Sequence, residues 1–263
     1  MQRLNFINLY GLCFVLLFLS TSTHAKDKTH DSNGNIILVK APPSSTPEDD
    51  FTEDEDEDEI KIYDPIENIN RKIFIFNDGA YFYVLKPIAK GYRAAVPEQG
   101  RVAVSNFFSN LLAPVRIVNS ALQLKGEDAT NEVFRLIINS TIGLAGLFDV
   151  AKNDFKIKIK KEDFGQTLGH YQVGNGPYIV IPIIGPTTLR DGFGLLVDGA
   201  FLDPLNHIYD DESERYILAR AVDIETTLSL DKDTYEAIKK DSLDPYLFLR
   251  NAYLQFRAGA VEN

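Results

Sequence analysis

The feature that most constrains this chain is a long uncharged segment rich in glycine and proline. Residues 164–189, FGQTLGHYQVGNGPYIVIPIIGPTTL, contain no Lys, Arg, Asp or Glu, although 25% of the chain is charged. A helix needs about 20 apolar residues to cross a bilayer, but the glycines and prolines here oppose one long helix. The sequence therefore predicts an irregular segment. Its backbone must be covered by protein or line a polar cavity, because lipid cannot satisfy free N–H and C=O groups.

Two interpretations of this segment remain open from its residues alone. An uncharged, irregular stretch between helices is suited to a surface that handles lipid. A buried, glycine-rich loop in an ordinary protein core would have the same composition.

The N-terminus has the pattern of an export signal. Arg3 precedes an apolar run from Leu9 to Leu19, and Thr23-His24-Ala25 is a typical small-residue cleavage site. We therefore assign residues 1–25 to a signal peptide. Lipidation of Cys13 is not expected, because Leu12 stands before it where a lipoprotein signal has a small residue.

The next segment, residues 26–59, is predicted to be a disordered acidic linker. Glu48 to Glu59 contains ten acidic residues, which account for most of the net charge of −11. Such a run repels itself and lacks the apolar residues of a core. The remaining chain is nearly neutral and has no basic patch of the size that nucleic acid requires. We therefore expect no nucleic-acid partner.

Helical patterns fill the rest of the chain. Asp64 and Pro65 have the composition of a helix start, and apolar residues then recur at spacings of three and four up to Pro87. The sequence predicts a single all-α domain over residues 60–257, built of amphipathic helices around the glycine- and proline-rich segment. Residues 258–263 are expected to form a C-terminal tail.

Three further segments have a distinctive composition. Leu136 to Phe148 is uncharged over 13 residues, which as a helix would reach about 20 Å, the depth of roughly one leaflet. Lys152 to Asp163 is a charged insert that could form a short strand or an exposed basic loop. After Thr187 or Thr188 caps a helix, Gly192, Gly194 and Gly199 permit close approach of a neighbouring helix.

Motifs for covalent chemistry and metal binding are lacking in the sequence. The three histidines beyond the predicted signal peptide, His30, His170 and His207, have no metal-ligand spacing, so we expect neither a metal nor a cofactor. His170 is the one candidate acid or base, with Asp191 as its candidate partner. A hydrogen-bonded structural role is the stronger interpretation of His170, because catalysis needs further partners.

Four motifs in order along the chain resemble the MlaA family, also called VacJ. They are DPIENINRKIFIFND (64–78), SNFFSNLLAPVRIVN (105–119), FGQTLGHYQVGNGPYIVIPIIGPTTLRD (164–191) and DPYLFLRNAYLQFR (244–257). The chain departs from the family pattern in two places: it lacks a convincing lipidation site, and Gln172 stands where glycine is common.

The resemblance implies an outer-membrane protein that maintains lipid asymmetry and is not an enzyme. Members of the family are helical rings embedded in the periplasmic-facing leaflet, often beside a trimeric porin. They pass mislocalised outer-leaflet phospholipid to a periplasmic carrier linked to an inner-membrane ABC transporter. The rival interpretations are a soluble periplasmic lipid-binding protein and a lipid hydrolase that uses His170.

On this reading the first helix contacts the membrane and the central segment forms the wall of a lipid path. The expected membrane-contact residues are Phe74, Phe76, Tyr81, Phe82 and Tyr83. The expected lipid-path residues are Gly165, Gly169, Gly174, Gly176, Pro177, Tyr178, Arg190 and Asp191, where Arg190 attracts phosphate or forms a structural salt bridge.

Overall fold

The part of the chain that the structure describes is mostly helical, which confirms the all-α class. The computed structural model describes residues 63–208, 213–231 and 233–262, so the predicted signal peptide and acidic linker lie outside the described residues. The helices are α1 (Glu67–Ala80), π1 (Tyr81–Leu85), α2 (Lys86–Ala95), α3 (Glu98–Leu111), α4 (Ala113–Leu122), α5 (Gly126–Thr141), α6 (Val150–Asn153), α7 (Phe164–His170), α8 (Leu189–Val197), π2 (Asp198–Leu202), α9 (Pro204–Ile208), α10 (Ser213–Leu230), α11 (Thr234–Asp241) and α12 (Pro245–Glu262).

The first helix is continuous from α1 through π1 to α2. Pro87 lacks the N–H that an α-helix needs at this point, and the turn before it widens so that Lys86 N–H bonds Tyr81 O. The composition of Asp64 and Pro65 predicts a helix start there, but α1 begins at Glu67 without a side-chain cap. The Asp64 carboxylate instead accepts from Asn70, Tyr246 and Arg250, so it joins the two ends of the domain.

The uncharged segment is more regular than its composition predicts. Its first part forms α7, and its second part forms an antiparallel hairpin of β1 (Tyr178–Ile181) and β2 (Gly185–Thr188). The expectation of an irregular wall is therefore corrected. A hairpin tolerates this composition because Pro186 lies on an edge strand, where a missing N–H costs little.

Two asparagines of α1 satisfy the open edge of this hairpin. Asn70 donates to Tyr178 O at 3.1 Å and accepts from Val180 N at 2.9 Å. Asn77, two turns later, donates to the carbonyl of Ile181 at 3.1 Å and accepts from the amide of Ile183 at 2.6 Å. The α1 side chains thus supply the hydrogen bonds that a third strand would make.

The polarity of several helices is the reverse of that in a water-soluble bundle. In α5 the buried residues are Glu132, Arg135 and Asn139, while Phe134 and Ile137 are 52% and 53% exposed. Among the described residues, buried polar and charged side chains outnumber buried hydrophobic ones. The same arrangement recurs in α4, which buries Arg116, Asn119 and Ser120, and in α8, which buries Arg190 and Asp191 while exposing Phe193.

Two local expectations differ from the structure. Helix α5 ends at Thr141, and residues 142–147 form turns. Two glycines permit these turns: a side-chain carbon at Gly143 would lie 2.3 Å from Phe148 O, and Gly146 has a φ of +92°. Leu136 to Phe148 is therefore not one leaflet-length helix. Helix α12 continues to Glu262, past the boundary expected at 257. Of the two alternatives for the insert at 152–163, the structure has the exposed loop and not the strand.

Across the described residues, no helix combines the length and the apolar composition that crossing a membrane requires.

Candidate functional site

The end of the diagnostic segment is organised around the buried carboxylate of Asp191. Thr188 caps α8 as the sequence predicts, accepting from Asp191 N at 3.2 Å. The Asp191 side chain accepts from Arg190 Nε, Tyr253 Oη and Arg257 Nε at 2.9, 2.8 and 2.9 Å. This single carboxylate therefore connects α8 to the C-terminal helix.

Arg257 extends the same cluster to the start of α7. Its Nη1 and Nη2 atoms donate to the two oxygens of Asp163 at 2.6 and 2.9 Å. Asp163 in turn caps α7 by accepting from Gln166 N at 2.9 Å. The guanidinium, 2% exposed, thus binds two carboxylates with paired hydrogen bonds, the geometry in which arginine is strongest.

The pKa values of these acids show a charged, paired cluster. Burial would raise the pKa of Asp163, but Arg257 more than offsets burial and lowers that pKa to about 2. Burial opposes ionisation of Asp191 as well, and Arg257 and Arg190 lower its pKa below the usual range. Each of the two carboxylates accepts hydrogen bonds from side chains of other elements, which is the arrangement of a structural clamp.

The glycines of the segment divide into two groups. An added side-chain carbon at Gly165 would lie 2.7 Å from Arg257 Nη2, and one at Gly169 would lie 2.9 Å from Arg190 Nη1. Gly194 is tighter still, at 2.3 Å from Gly165 N. Gly174, in contrast, has open space around it, so it is exposed on the turn before the hairpin.

The turn between α7 and the hairpin uses left-handed backbone. Gly176 has a φ of +66° and Gln172 a φ of +63°. The resemblance leads us to expect glycine at position 172, and the conformation of Gln172 is the one that favours glycine. Pro177 follows and is half-buried, with its carbonyl accepting from Leu189 N at 3.1 Å. Tyr178, only 2% exposed, lies in a core cluster with Tyr246 and Tyr253.

A second polar cluster lies behind α7. Asn119 donates to Asp198 Oδ1 at 2.8 Å and accepts from Thr167 Oγ1 at 2.8 Å. Phe164 N donates to the other Asp198 oxygen at 2.8 Å. Burial raises the pKa of Asp198 to about 7 in spite of these two donors, so this carboxyl is the one in the region that titrates near neutrality.

A small polar cavity lies between α3, α4 and α5. It measures about 10 Å³ and its lining includes Ser109, Arg116, Asn139 and Asp149. A volume of this size holds about one water molecule, so this cavity does not admit a phospholipid head group.

The aromatic residues of the first helix take three different positions. Phe76 and Tyr83 are 56% and 86% exposed. Phe74 and Phe82 are half-buried, packing edge-on against Tyr246 and Tyr81 respectively. Tyr81 is 6% exposed and donates to Glu236 at 2.9 Å. The expectation of membrane contact is therefore corrected for Tyr81, which is a core residue.

His170 does not pair with Asp191. The imidazole is exposed at the end of α7 and packs against the ring of Tyr171, while the oxygens of Asp191 are taken by Arg190, Tyr253 and Arg257. Among the residues that the structure describes, no group of His, Cys, Asp and Glu is arranged to hold a metal.

Sequence reasoning missed the contribution of the C-terminal helix to this region. Tyr253 and Arg257 were recognised only as letters of the motif at 244–257, and no local pattern connects them to residues some 66 positions earlier. The signal that could have found them is their spacing, because a tyrosine and an arginine four residues apart lie on one face of a helix and can share a tertiary partner.

Comparisons with known proteins agree with this geometry. A family model described as MlaA lipoprotein matches residues 62–260. The intermembrane phospholipid transport system lipoprotein MlaA of Escherichia coli is 35% identical over 195 residues, covering 73% of this chain and 76% of that protein. An uncharacterised protein of Rickettsia prowazekii is 34% identical over 203 residues, covering 77% and 80%.

A solved structure gives the same relationship in three dimensions. It comes from work on the structural basis for maintenance of bacterial outer membrane lipid asymmetry. The match has a TM-score of 0.64 at 34% identity and covers 75% of this chain and 98% of that one. The order of the motifs, the family model and the shared fold lead to one conclusion: this chain belongs to the MlaA lipoprotein family.

Proposed function

We propose that this protein is a phospholipid conduit of the outer membrane. It lies as a ring of helices in the periplasmic-facing leaflet, beside a trimeric porin, and takes up mislocalised outer-leaflet phospholipid. It hands the lipid to a soluble periplasmic carrier linked to an inner-membrane ABC transporter. It is exported through a cleaved signal peptide, is not lipidated at Cys13 and does no covalent chemistry. The Escherichia coli relative is named for intermembrane phospholipid transport, which supports this proposal.

The observation that carries the proposal is the reversed polarity of the helices. Side chains such as Phe76, Tyr83, Phe134 and Phe193 are more than half exposed, while neighbouring charged residues are buried and paired. Exposed apolar area of this extent is unfavourable in water and marks a surface that meets lipid or protein. Apolar faces backed by polar contacts fit helices that lie in one leaflet.

The geometry also refines the lipid path. Arg190 is 8% exposed and bonded to Asp191, so we assign both residues to holding the wall together and not to lipid contact. Gly165 and Gly169 have the same packing role. Gly174 and Gly176, on the turn before the hairpin, remain the residues proposed to face the path, because the space around Gly174 is open.

A charge on the path should block lipid movement without releasing the protein from the membrane. We expect Gly174→Glu to raise the amount of phospholipid that an external phospholipase can reach on intact cells. Gly126→Glu is the matched control, because Gly126 is also exposed with open space around it and begins α5. Equal asymmetry in the two variants would refute the assignment of Gly174 to the path.

The alternative is a soluble periplasmic lipid-binding protein, and fractionation separates the two. A conduit held by its helices stays with outer membranes after a carbonate wash, whereas a soluble carrier appears in the periplasmic fraction. Recovery in the soluble fraction would overturn membrane embedding. His170→Ala tests the hydrolase interpretation, since unchanged asymmetry in that variant removes it.

A further inference from the structure

The charged insert at 152–163, which begins within α6, presents a row of lysines to solvent. Lys152, Lys156, Lys158 and Lys160 are exposed, whereas Ile157 and Ile159 between them are half-buried. We call these four lysines the basic strip. The alternation that suggested a strand in the sequence instead turns lysines outward along a loop.

Backbone contacts with α5 hold this loop in a fixed position. Arg135 Nη1 donates to Ile157 O at 2.5 Å, and Lys160 N donates to Glu132 Oε1 at 2.9 Å. Lys125 adds an ion pair to Glu162 at 2.9 Å. Buried charged groups of α5 therefore anchor the loop from inside, and the lysine side chains extend to the surface, where Lys156 Nζ also donates to Asn153 O at 2.5 Å.

Exposed apolar side chains border the basic strip. Phe155 lies within it and is 55% exposed, and Phe148 just before α6 is also 55% exposed. Phe134 and Val133, which are exposed at 52% and 38%, lie beside the Glu132 and Arg135 anchors in sequence. A row of lysines beside exposed aromatic and aliphatic side chains is the pattern of a surface that meets a membrane at head-group depth.

We propose that the basic strip binds the anionic phosphate head groups of the leaflet against which the apolar face of α5 lies. The inference rests on the proposed function, since it takes the apolar face to be in contact with lipid. Acidic groups nearby do not cancel the strip: Asp154 is one charge among four lysines, and Asp128 lies 3.8 Å from Lys160 alone. Lys152, Lys156 and Lys158 are the head-group ligands.

The test compares binding of the chain without its predicted signal peptide, residues 26–263, to two kinds of vesicle by flotation. One is phosphatidylcholine alone, and the other is equal parts phosphatidylcholine and phosphatidylglycerol. The strip variant is Lys152→Gln, Lys156→Gln and Lys158→Gln together, which leaves the Lys160 ion pair intact. The control variant is Lys240→Gln, which removes the charge of an exposed lysine on α11, and it is compared with the single strip variant Lys156→Gln, which removes the same charge.

We expect the wild type to bind the phosphatidylglycerol vesicles more tightly, by about fivefold per lysine and so roughly a hundredfold for three. The strip variant should lose this preference and the control variant should keep it. Raised salt should weaken the preference, because exposed charges are screened. Circular dichroism melting of each variant verifies that the fold is intact.

The outcomes separate this inference from the proposed function. A strip variant that keeps the wild-type preference for phosphatidylglycerol overturns the basic strip and leaves membrane embedding untouched. Equal losses in Lys156→Gln and the control variant also overturn it, because the effect would then be net charge alone. Failure of the wild type to float with either vesicle refutes contact of the apolar face with lipid, and the proposed function with it.

Discussion

Replacement of Gly194 by alanine tests how tightly α7 and α8 must pack. The added carbon would lie 2.3 Å from Gly165 N, where ordinary contact needs more than 3 Å, so the two helices must separate by about 1 Å. Overpacking of this kind costs about 1–3 kcal/mol, and a backbone neighbour that cannot rotate away places the cost at the upper end. The roughly 1 kcal/mol that alanine gains over glycine in a helix offsets only part of it.

Gly192→Ala is the matched control within the same helix. Its added carbon would meet Thr187 at 3.7 Å, an ordinary contact, so this variant should gain the roughly 1 kcal/mol of helix propensity. The two variants should then differ by about 3 kcal/mol. For a domain of this size that is a difference of about 6–12 °C in melting temperature.

Circular dichroism at the helix band measures this difference directly, which suits a helical chain without Trp. The thermal unfolding of wild type, Gly192→Ala and Gly194→Ala is followed in one detergent at one pH. If Gly194→Ala melts at or above the temperature of Gly192→Ala, the close approach of α7 and α8 is not a constraint on this fold.

Two further predictions concern the buried charges. Arg257→Lys keeps the charge but cannot reach both Asp163 and Asp191, so the free energy of unfolding should fall by about 2–4 kcal/mol. The control is Arg71→Lys, at a pair more than one-third exposed, which should change the free energy of unfolding by less than about 1 kcal/mol. Equal losses of the two variants in urea unfolding would contradict the clamp. Asp198 has a folded pKa raised by burial to about 7, so its contribution to stability is full below about pH 4 and is lost as pH rises through 7. Asp198→Asn should therefore flatten the decline in stability from pH 4 to 7, and an unchanged slope would show that another group is responsible.

The helical class and the family were accessible from the sequence because both rest on patterns within single segments. Spacings of three and four define the helices, Thr188 has the local composition of a cap, and Gly194 has the size of a packing residue. Which face of a helix turns inward was not accessible. Ile69, Phe76 and Tyr83 form an apolar stripe that a soluble protein would bury, yet the structure exposes it.

The sequence located the candidate site, but it did not identify the distant side chains that bond to it. Glycines and prolines in residues 164–189 predicted irregular backbone, since each is unfavourable in a helix or a central strand. The hairpin forms because Asn70 and Asn77, about 100 positions away, satisfy its edge. Asp191 was named from its motif, but its charge is balanced by Arg257, which only the three-dimensional fold brings near.

The two asparagines that hold β1 also fix where the hairpin sits along the first helix. Seven helical residues rise about 10.5 Å, and three strand residues, the separation of Tyr178 from Ile181, extend about 10 Å. The two rises match over this interval, so both asparagines can bond to the strand in only one alignment of the helix along it. A one-residue insertion between Asn70 and Asn77 would rotate one of them about 100° away from the strand. No other alignment of the helix along the strand would then let both side-chain amides bond to it. The position of the hairpin along α1 is thus fixed by the nearly equal lengths of the helix segment from Asn70 to Asn77 and the strand segment from Tyr178 to Ile181.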